Sequence, residues 1–449
     1  MRPTLPFGCV LALMLIACGG GATNGTSSVP GPQGGTSPSP SPTSSPLAAQ
    51  SACNGSRTSN APLGAAPTIP ALTVPSGFAI EEIAKVPIAR ELTSLPNGDL
   101  LVASGTSSLY IVPNAESAGA VSPSQVFATF PDALAAGVAF SPASCTIFVS
   151  TMTGVYAMPY VDGQLAADPT SVKQIVHVRT GAIAPNSDGD VHRSTSVAWA
   201  NGILYVSVGS SCNACVEVDP TRAVILQMNP DGSNVTTKAT RIRNAIALAV
   251  NPQTGSVWAG GAGQDFITFG HPYEYFDNLS SHQGMADYGW PACEENHVAY
   301  KAGADCSHTV APSIEFPAYS TIIGATFYPQ SQTGTYAFGS SYRGGLFVSA
   351  HGSWHQLNGR YFAEPHVVFV PMNGDTPRTS VNWNDPAAQW TEFLGGFQLS
   401  NGVTRVARST GVAVGLQGSL FVADDATGSI YRIRPINALP AAQHKHIHA

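Results

Sequence analysis

The sequence predicts an all-β fold, and more specifically a six-bladed β-propeller, from its composition and from an internal repeat. Only 10% of the 449 residues are charged, whereas 45 are glycine and 35 are proline. This composition favours many short strands joined by tight turns over long amphipathic helices. A strand–turn–strand pattern also recurs six times along the chain. Its spacing of roughly 40 to 80 residues is typical of four-stranded blades with loop insertions.

Each copy of the repeat has a short apolar strand, a turn rich in Asn, Asp or Gly, and a second apolar strand. The copies begin at Leu92, Gly137, Thr195, Ile246, Gly324 and Gly411. We expect an early strand over residues 78–84 to join the last blade, which would close the ring and remove its open edge. The predicted propeller spans residues 72–435. A β-sandwich with accidental similarity between copies is the alternative, and six consistent copies disfavour it.

Residues 1–18 resemble the signal of a bacterial lipoprotein. Arg2 precedes an apolar run over residues 9–17 that is too short to span a membrane. The run ends in Leu15-Ile16-Ala17-Cys18, which looks like a lipobox, so we expect Cys18 to be lipidated. The chain would then lie on the periplasmic side of a membrane, held by lipid alone, and the glycine after Cys18 favours the outer membrane. An ordinary cleaved signal with a chance cysteine is the alternative.

Two further segments are expected to lie outside the propeller. Residues 19–70 are rich in Gly, Ser, Pro and Thr, so they cannot bury enough apolar surface to order themselves and predict a disordered tether. Residues 436–449 predict a flexible tail that contains several histidines. The net charge of −7, without a stripe of Lys and Arg, argues against a nucleic-acid partner.

The cysteines that follow the signal predict disulfides, because their number is even and the signal predicts export. The pairs expected from proximity, and then by elimination, are Cys212–Cys215, Cys293–Cys306 and Cys53–Cys145. The first pair encloses only two residues, and the alternative to a structural disulfide there is a redox-active or metal-binding pair of cysteines. No second CxxC accompanies it, which disfavours zinc.

Polar residues cluster next to the inner strands of several copies. His192 precedes the third copy, Arg243 precedes the fourth, and Arg408 precedes the sixth. A Gly-rich acidic turn over residues 260–265 follows the second strand of the fourth copy. Because equivalent strand ends converge at one face of a ring, we expect these groups to share one mouth. Histidine is the usual base near neutral pH. The structural alternatives are that His192 is an ordinary loop histidine, that Arg243 forms a surface salt bridge, and that Asp265 caps its turn.

Motifs in a consistent order then point to one family. They are the His192 turn and residues 206–213, 229–233, 242–244, 287–291, 351–354 and 423–432. Together they resemble the glucose/sorbosone dehydrogenases, six-bladed propellers that use pyrroloquinoline quinone (PQQ), and are nearest to the sorbosone-dehydrogenase-like branch. The resemblance implies oxidation of an aldose or related carbonyl sugar, with hydride passing from C1 to the quinone. It leaves the sugar and the electron acceptor unidentified.

The resemblance also implies roles for individual residues. His192 matches the catalytic base, and Arg243 matches a cation that stabilises charge on the quinone. The residues implied in binding PQQ are Arg243, Asn244, Arg408 and, through a looser match, Thr321. Calcium is implied at a turn whose main-chain carbonyls belong to Ala262, Gly263 and Gln264, with Asp265 as an added carboxylate.

The sequence departs from the family at one position. Soluble glucose dehydrogenases of the family have a lysine after the second strand of the fifth blade, and that lysine contacts PQQ. Gly352 stands at that place, and His351 or His355 is a candidate substitute. The missing lysine keeps open a second function, a non-catalytic propeller that binds a ligand or partner. A metal-dependent hydrolase of the lactonase type is a third, which the small number of carboxylates at the predicted mouth disfavours.

Overall fold

The computed structural model describes Cys53, Gly55 and residues 71–117, 121–179, 181–184, 189–265 and 268–436. The predicted signal with Cys18, nearly all of the tether over residues 19–70, and the tail beyond Ile436 lie outside the described residues. Within the described ranges, no helix is long and apolar enough to cross a membrane.

Six four-stranded antiparallel sheets surround a central axis, which confirms the predicted all-β class and the number of blades. From the innermost strand outward, blade 1 contains Ala89–Ser94, Leu100–Ser104, Ser108–Val112 and Gln125–Thr129, blade 2 contains Gly137–Ser141, Thr146–Ser150, Gly154–Pro159 and Lys173–His177, and blade 3 contains Thr195–Ala200, Ile203–Val208, Val224–Met228 and Thr236–Thr240. Blade 4 contains Ala247–Val250, Val257–Gly261, Glu274–Asn278 and Ile314–Phe316, blade 5 contains Ile322–Phe327, Leu346–Ala350, His366–Val370 and Thr391–Leu394, and blade 6 contains Ser409–Val414, Leu420–Asp424, Ser429–Pro435 and Phe78–Lys85.

Short elements extend or connect the blades. Two-residue strands pair in parallel with the outer strands of blades 6 and 3, at Ser122–Pro123 and Ala286–Asp287. Three small hairpins pair Cys293–Glu294 with Val298–Ala299, Gln356–Leu357 with Arg360–Tyr361, and Met372–Asn373 with Thr376–Pro377. Among the described residues the helices are single 3₁₀ turns at Ala115–Ser117, Pro169–Ser171 and Leu279–Ser281.

The hydrophobic core lies between neighbouring blades. The second strands Leu100–Ser104 and Leu420–Asp424 are buried at every position, because a blade covers each of their faces. The innermost strands approach even more closely near the axis. A Cβ atom added at Gly411 would lie 2.4 Å from the carbonyl oxygen of Arg90 in blade 1. Glycine is therefore required where blades 6 and 1 meet.

The N-terminal strand closes the ring, as the sequence predicts. Phe78–Lys85 pairs antiparallel with Ser429–Pro435 and supplies the outer strand of blade 6. Glu81 lies at the centre of this pairing and accepts hydrogen bonds from both Arg432 and Arg434. All three charged side chains are buried, so the closure contains a desolvated ion cluster.

All three disulfides expected from the sequence are present in the structure. Their Cα–Cα distances are 5.8 Å for Cys53–Cys145, 6.1 Å for Cys212–Cys215 and 5.6 Å for Cys293–Cys306. The first joins the segment ahead of the propeller to the turn between the first two strands of blade 2. The second bonds the CxxC sulfurs to each other, which leaves no thiolate for zinc.

Candidate active site

A cavity of about 250 Å³ opens at the end of the propeller where the inner strands begin. Five blades contribute to its wall a residue at, or just before, the start of their inner strands. These residues are Arg90, His192, Arg243, Thr321 and Arg408. Asn244, Ala262 and Asp265 also line the cavity. The topology thus brings most of the predicted site residues together, although they are far apart in the sequence.

Ser210 orients the imidazole of His192. The Nδ1 atom of His192 lies 2.8 Å from the hydroxyl oxygen of Ser210 and 3.2 Å from its carbonyl oxygen. The Ser210 hydroxyl donates its one proton to the carbonyl of Cys212 at 2.7 Å. Ser210 therefore offers only acceptors to His192, so Nδ1 carries the ring proton. This tautomer leaves the lone pair on Nε2, so Nε2 is the ring nitrogen that can accept a proton from a substrate.

The surroundings of His192 also set its charge. Burial is the main cause that holds the pKa of His192 well below the ordinary value of 6.5. The positive charges of Arg243, Arg179 and Arg222 lower this pKa further. The hydrogen bond that His192 donates to the carbonyl oxygen of Ser210 raises the pKa, but the other causes outweigh it. The imidazole is therefore neutral near pH 7 and able to accept a proton.

Asp190 supports the His192 loop indirectly. Its carboxylate accepts a hydrogen bond of 2.6 Å from Nη1 of Arg222 and lies 3.5 Å from Nη1 of Arg179. Arg179 in turn donates from Nη2 to the carbonyl oxygen of His192 at 2.9 Å. Asp190 thus helps to hold the main chain of the loop through two buried arginines.

Arg243 is a fixed cation in the cavity wall. Its Nε donates to the carbonyl oxygen of Asn213 at 3.0 Å, and its Nη2 donates to Oδ1 of Asn213 at 2.8 Å. The same Nη2 donates to Oδ2 of Asp265 at 2.9 Å, and Nη1 donates to the carbonyl oxygen of Ala262 at 3.3 Å. Because contacts on both sides hold the guanidinium, its charge needs little reorganisation to stabilise a developing anion.

The turn predicted to bind calcium divides between the cavity and the protein interior. Ala262 and Asp265 line the cavity, whereas Gly263 and Gln264 do not. The Gln264 side chain is buried and donates to the carbonyl oxygen of Pro291 at 3.2 Å. Of the four residues predicted to bind calcium, two therefore line the cavity.

Glu274 is a cavity residue without a sequence signal. It lies on a wholly buried strand, Glu274–Asn278, and its carboxyl accepts a hydrogen bond of 3.1 Å from the amide of Ile322. Burial raises the pKa of Glu274 well above 4.5, and the nearby charge of Asp265 raises it further. Burial therefore favours the protonated, uncharged form of this carboxyl.

Arg90, Asp425, His351 and Arg408 form a connected polar group on the opposite side of the cavity from blades 3 and 4. Nη1 of Arg90 lies 3.1 Å from Oδ2 of Asp425, and Nε2 of His351 lies 3.0 Å from the same carboxylate. Arg408 donates from Nε to the carbonyl oxygen of His351 at 3.0 Å. Burial opposes ionisation of Asp425, but His351 and the two arginines lower its pKa to about 2. The group thus presents two arginines to the cavity around one ionised carboxylate.

The main chain at Gly352 leaves no room for the lysine that the resemblance predicts at this position. The residue has a φ of 73°, and a Cβ atom added to it would lie 2.7 Å from the amide nitrogen of Pro365. Its carbonyl oxygen accepts a hydrogen bond of 3.0 Å from Nη2 of Arg408. A side chain cannot be accommodated here without moving the main chain. Of the two candidate substitutes, His351 bonds to Asp425, and His355 borders the cavity with Nε2 lying 3.6 Å from Asp265.

Comparisons with known proteins agree with this geometry. The family described as TrAA12-like matches residues 72–297 and 278–435. The chain belongs to the TrAA12-like family. These proteins are PQQ-dependent oxidoreductases, so the chain is an enzyme of the quinoprotein dehydrogenase class. The narrower resemblance to the sorbosone-dehydrogenase-like branch stays a prediction. A search of curated proteins found no match.

Solved structures share the fold at low sequence identity. A calcium structure of the carbohydrate-active enzyme family AA12 protein of Trichoderma reesei aligns with a TM-score of 0.64 and 18% identity, covering 84% of this chain and 99% of the other. The holo form of the PQQ domain of pyranose dehydrogenase from Coprinopsis cinerea aligns with a TM-score of 0.63 and 17% identity, covering 83% and 100%. A glucose dehydrogenase aligns with a TM-score of 0.57 and 16% identity, covering 79% and 99%.

Sequence reasoning missed several residues that shape the site. Among them are Arg90, Ser210, Asn213, Glu274 and Asp425. Arg90 had a usable signal, because it occupies the start of the blade 1 inner strand as Arg408 flanks that of blade 6. Asn213 and Asp425 lie inside family-like motifs but carried no assigned role. Glu274 stands alone among aromatic residues, and no pattern marks it.

Proposed function

We propose that the chain oxidises an aldose or a related carbonyl sugar in the cavity described above, with PQQ as cofactor. One observation carries the proposal: three arginines and a neutral histidine border the same cavity. PQQ has three carboxylates and an ortho-quinone, so its site requires several cations. Arg90, Arg243 and Arg408 match that requirement in number and in sign.

Residues on two sides of the cavity would bind different parts of PQQ. Arg90 and Arg408 would hold carboxylates, because both are anchored through Asp425 or main-chain carbonyls and retain further N–H groups. Arg243 and Asn244 would face the quinone, and Thr321 would add a polar contact. When bound, PQQ supplies the electrophilic quinone that takes the hydride from C1 of the sugar.

His192 would act as the base. Its Nε2 lone pair is available because Nδ1 is committed to Ser210, and its lowered pKa keeps it neutral at physiological pH. Removal of the C1 hydroxyl proton by Nε2 would allow the C1–O bond to become a carbonyl as the hydride leaves. Arg243 would lower the energy of this step by holding a fixed positive charge beside the developing negative charge.

Calcium is proposed at the turn over residues 262–265. Ala262 and Asp265 line the cavity, and a carbonyl oxygen and a carboxylate are hard donors of the kind that calcium prefers. Both groups also accept a hydrogen bond from Arg243, so calcium would share them with the guanidinium. Calcium takes about six to eight oxygen ligands, so cofactor and water oxygens would complete the shell. That a similar structure from Trichoderma reesei is described as a calcium structure supports the choice of ion.

The proposal is tested by adding PQQ, with and without calcium, to purified protein freed of both. We expect a shifted quinone absorption, and dye-coupled oxidation of at least one aldose in a sugar panel. Absence of PQQ binding at micromolar concentrations would overturn the assignment. Binding without turnover of any sugar would favour the non-catalytic alternative, which the side-chain-free position at Gly352 keeps open. A lactone included in the panel covers the hydrolase alternative, and its turnover without PQQ would support that function.

Anchoring at Cys18 is a separate proposal. It rests on the lipobox and on the chain of low-complexity residues that follows. Mass spectrometry of the N-terminus should find a diacylglycerol on Cys18, and fractionation should place the protein with the outer membrane. An unmodified N-terminus elsewhere would contradict the proposal.

A further inference from the structure

The loop over residues 212–215, closed by the Cys212–Cys215 disulfide, contacts two of the cavity residues through Asn213. The carbonyl oxygen of Asn213 accepts from Nε of Arg243 at 3.0 Å, and its Oδ1 accepts from Nη2 of Arg243 at 2.8 Å. Oδ1 also accepts from the amide of Asp265 at 2.8 Å, and Nδ2 donates to the carbonyl oxygen of Asp265 at 2.9 Å. Every side-chain polar atom of Asn213 is therefore used on Arg243 or Asp265.

The same loop also reaches the base. The carbonyl oxygen of Cys212 accepts the hydroxyl proton of Ser210, and this bond is what makes Ser210 an acceptor for Nδ1 of His192. One four-residue loop thus fixes the orientation of Arg243 and the tautomer of His192. Trp290 holds the loop from the other side, because its Nε1 donates to the carbonyl oxygen of Asn213 at 3.1 Å.

The loop over residues 212–215 lies partly exposed, so the Cys212–Cys215 disulfide restricts a segment that would otherwise be free to move. Cys212 is buried, but Asn213 and Cys215 are half-buried and Ala214 is exposed. A loop at such an edge has many conformations open to it, and in the one that the structure shows Asn213 contacts both Arg243 and Asp265. Closing the loop with a disulfide removes most of the others before any ligand binds.

We propose that Asn213 is a positioning residue for Arg243 and Asp265, and that the Cys212–Cys215 disulfide acts through Asn213 by holding the loop in place. The kinetic consequences rest on the proposed function, whereas the geometric consequence does not. If the disulfide acts through Asn213, removing either one should cost much the same, and removing both should cost little more.

The experiment is a double-mutant cycle. The variants are Asn213→Ala, the pair Cys212→Ser with Cys215→Ser, and the combination of all three. The matched control is Cys53→Ser with Cys145→Ser, a disulfide at the opposite end of blade 2 from the cavity. We expect kcat/KM to fall about ten- to hundredfold in Asn213→Ala and in the Cys212/Cys215 pair. The combined variant should lose no more than roughly threefold beyond the worse of these two. Losses that multiply would show that the disulfide does not act through Asn213 and would overturn the proposal.

A second readout does not require PQQ. The titration of His192 can be followed by NMR in protein with labelled histidine, with His192→Gln used to assign the signal. Arg243, Arg179 and Arg222 are the charged groups that lower the pKa of His192. Asn213→Ala should release Arg243 and raise this pKa, and the control pair should leave it unchanged. An unchanged titration in Asn213→Ala would refute the positioning role. Failure of the wild type to bind PQQ would instead refute the proposed function, and the NMR result would still decide the inference.

Discussion

The buried ion cluster at the ring closure should make Glu81 one of the most costly residues to replace. Glu81 is 5% exposed, and Arg432 and Arg434 are 3% and 4% exposed. Nε and Nη2 of each arginine donate to its carboxylate, with Nη2 of Arg432 at 2.6 Å. Glu81→Gln keeps the shape of the side chain but leaves two buried guanidinium groups without a counter-charge.

The size of the effect follows from that arrangement. Removing one partner of a buried, hydrogen-bonded ion pair costs about 3–5 kcal/mol, because the remaining charge stays desolvated. Two arginines depend on Glu81, so we expect the upper part of this range. Domains are commonly stable by only about 5–15 kcal/mol. The variant should therefore lose a large share of its stability and should open first between Phe78–Lys85 and Ser429–Pro435.

Urea unfolding, followed by fluorescence, measures this loss. Arg241→Gln is the matched control, because Arg241 pairs with Asp287 at the surface, where the two side chains are 42% and 36% exposed. Exposed pairs contribute about 0–1 kcal/mol. A loss below about 1 kcal/mol in Glu81→Gln, equal to that of the control, would refute the view that the buried cluster secures the closure.

The pH dependence supplies an independent check on the same cluster. Burial alone would raise the pKa of Glu81, but the hydrogen bonds and charges of Arg434 and Arg432 outweigh burial and lower it below 4.5. The cluster therefore contributes its full stability above pH 4.5 and loses it as the pH falls through the folded-state pKa. The difference in stability between the wild type and Glu81→Gln should shrink over that acidic range.

Three further predictions concern the site. His192→Ala should lower kcat by roughly 10²–10⁴-fold with PQQ affinity nearly unchanged, and full activity in the variant would exclude His192 as the base. Turnover of the wild type should persist to well below pH 6.5 and fall as the pH crosses the lowered pKa of His192. Arg408→Ala should weaken PQQ binding by about ten- to hundredfold, as measured by titration of the cofactor-free protein, and an unchanged Kd would remove Arg408 from the cofactor site. Gly352→Lys should not improve PQQ binding and should destabilise the fold by about 1–3 kcal/mol, because the main chain there has a φ of 73° and no room for a Cβ. Tighter PQQ binding without loss of stability would contradict this prediction.

The periodicity of the sequence was sufficient to predict the propeller and its closure. Apolar strands separated by turn residues define blades whose inner strands begin at one face, so His192, Arg243 and Arg408 were expected to converge without any knowledge of their distances. The structure places all three in one cavity wall. The convergence of these three residues follows from the topology of the ring alone.

Contacts that depend on side-chain direction could not be predicted in the same way. Asp190 is two residues from His192, yet it pairs with Arg222, which is distant in the sequence. The group that orients the His192 imidazole is Ser210, which follows the neighbouring strand Ile203–Val208. Likewise the turn over residues 262–265 was visible as a turn, but which of its residues face the cavity depends on dihedral angles that the sequence pattern does not carry.

The Cys53–Cys145 disulfide has a mechanical consequence for the ring. In chain order, Cys53 comes before the closing strand Phe78–Lys85 and before all of blade 1, whereas Cys145 lies in blade 2. A pulling force applied upstream of Cys53 therefore passes across the sulfur–sulfur bond into blade 2 and bypasses the closing strand Phe78–Lys85. The closing strand carries none of that load, so tension on the predicted tether would not peel it from Ser429–Pro435.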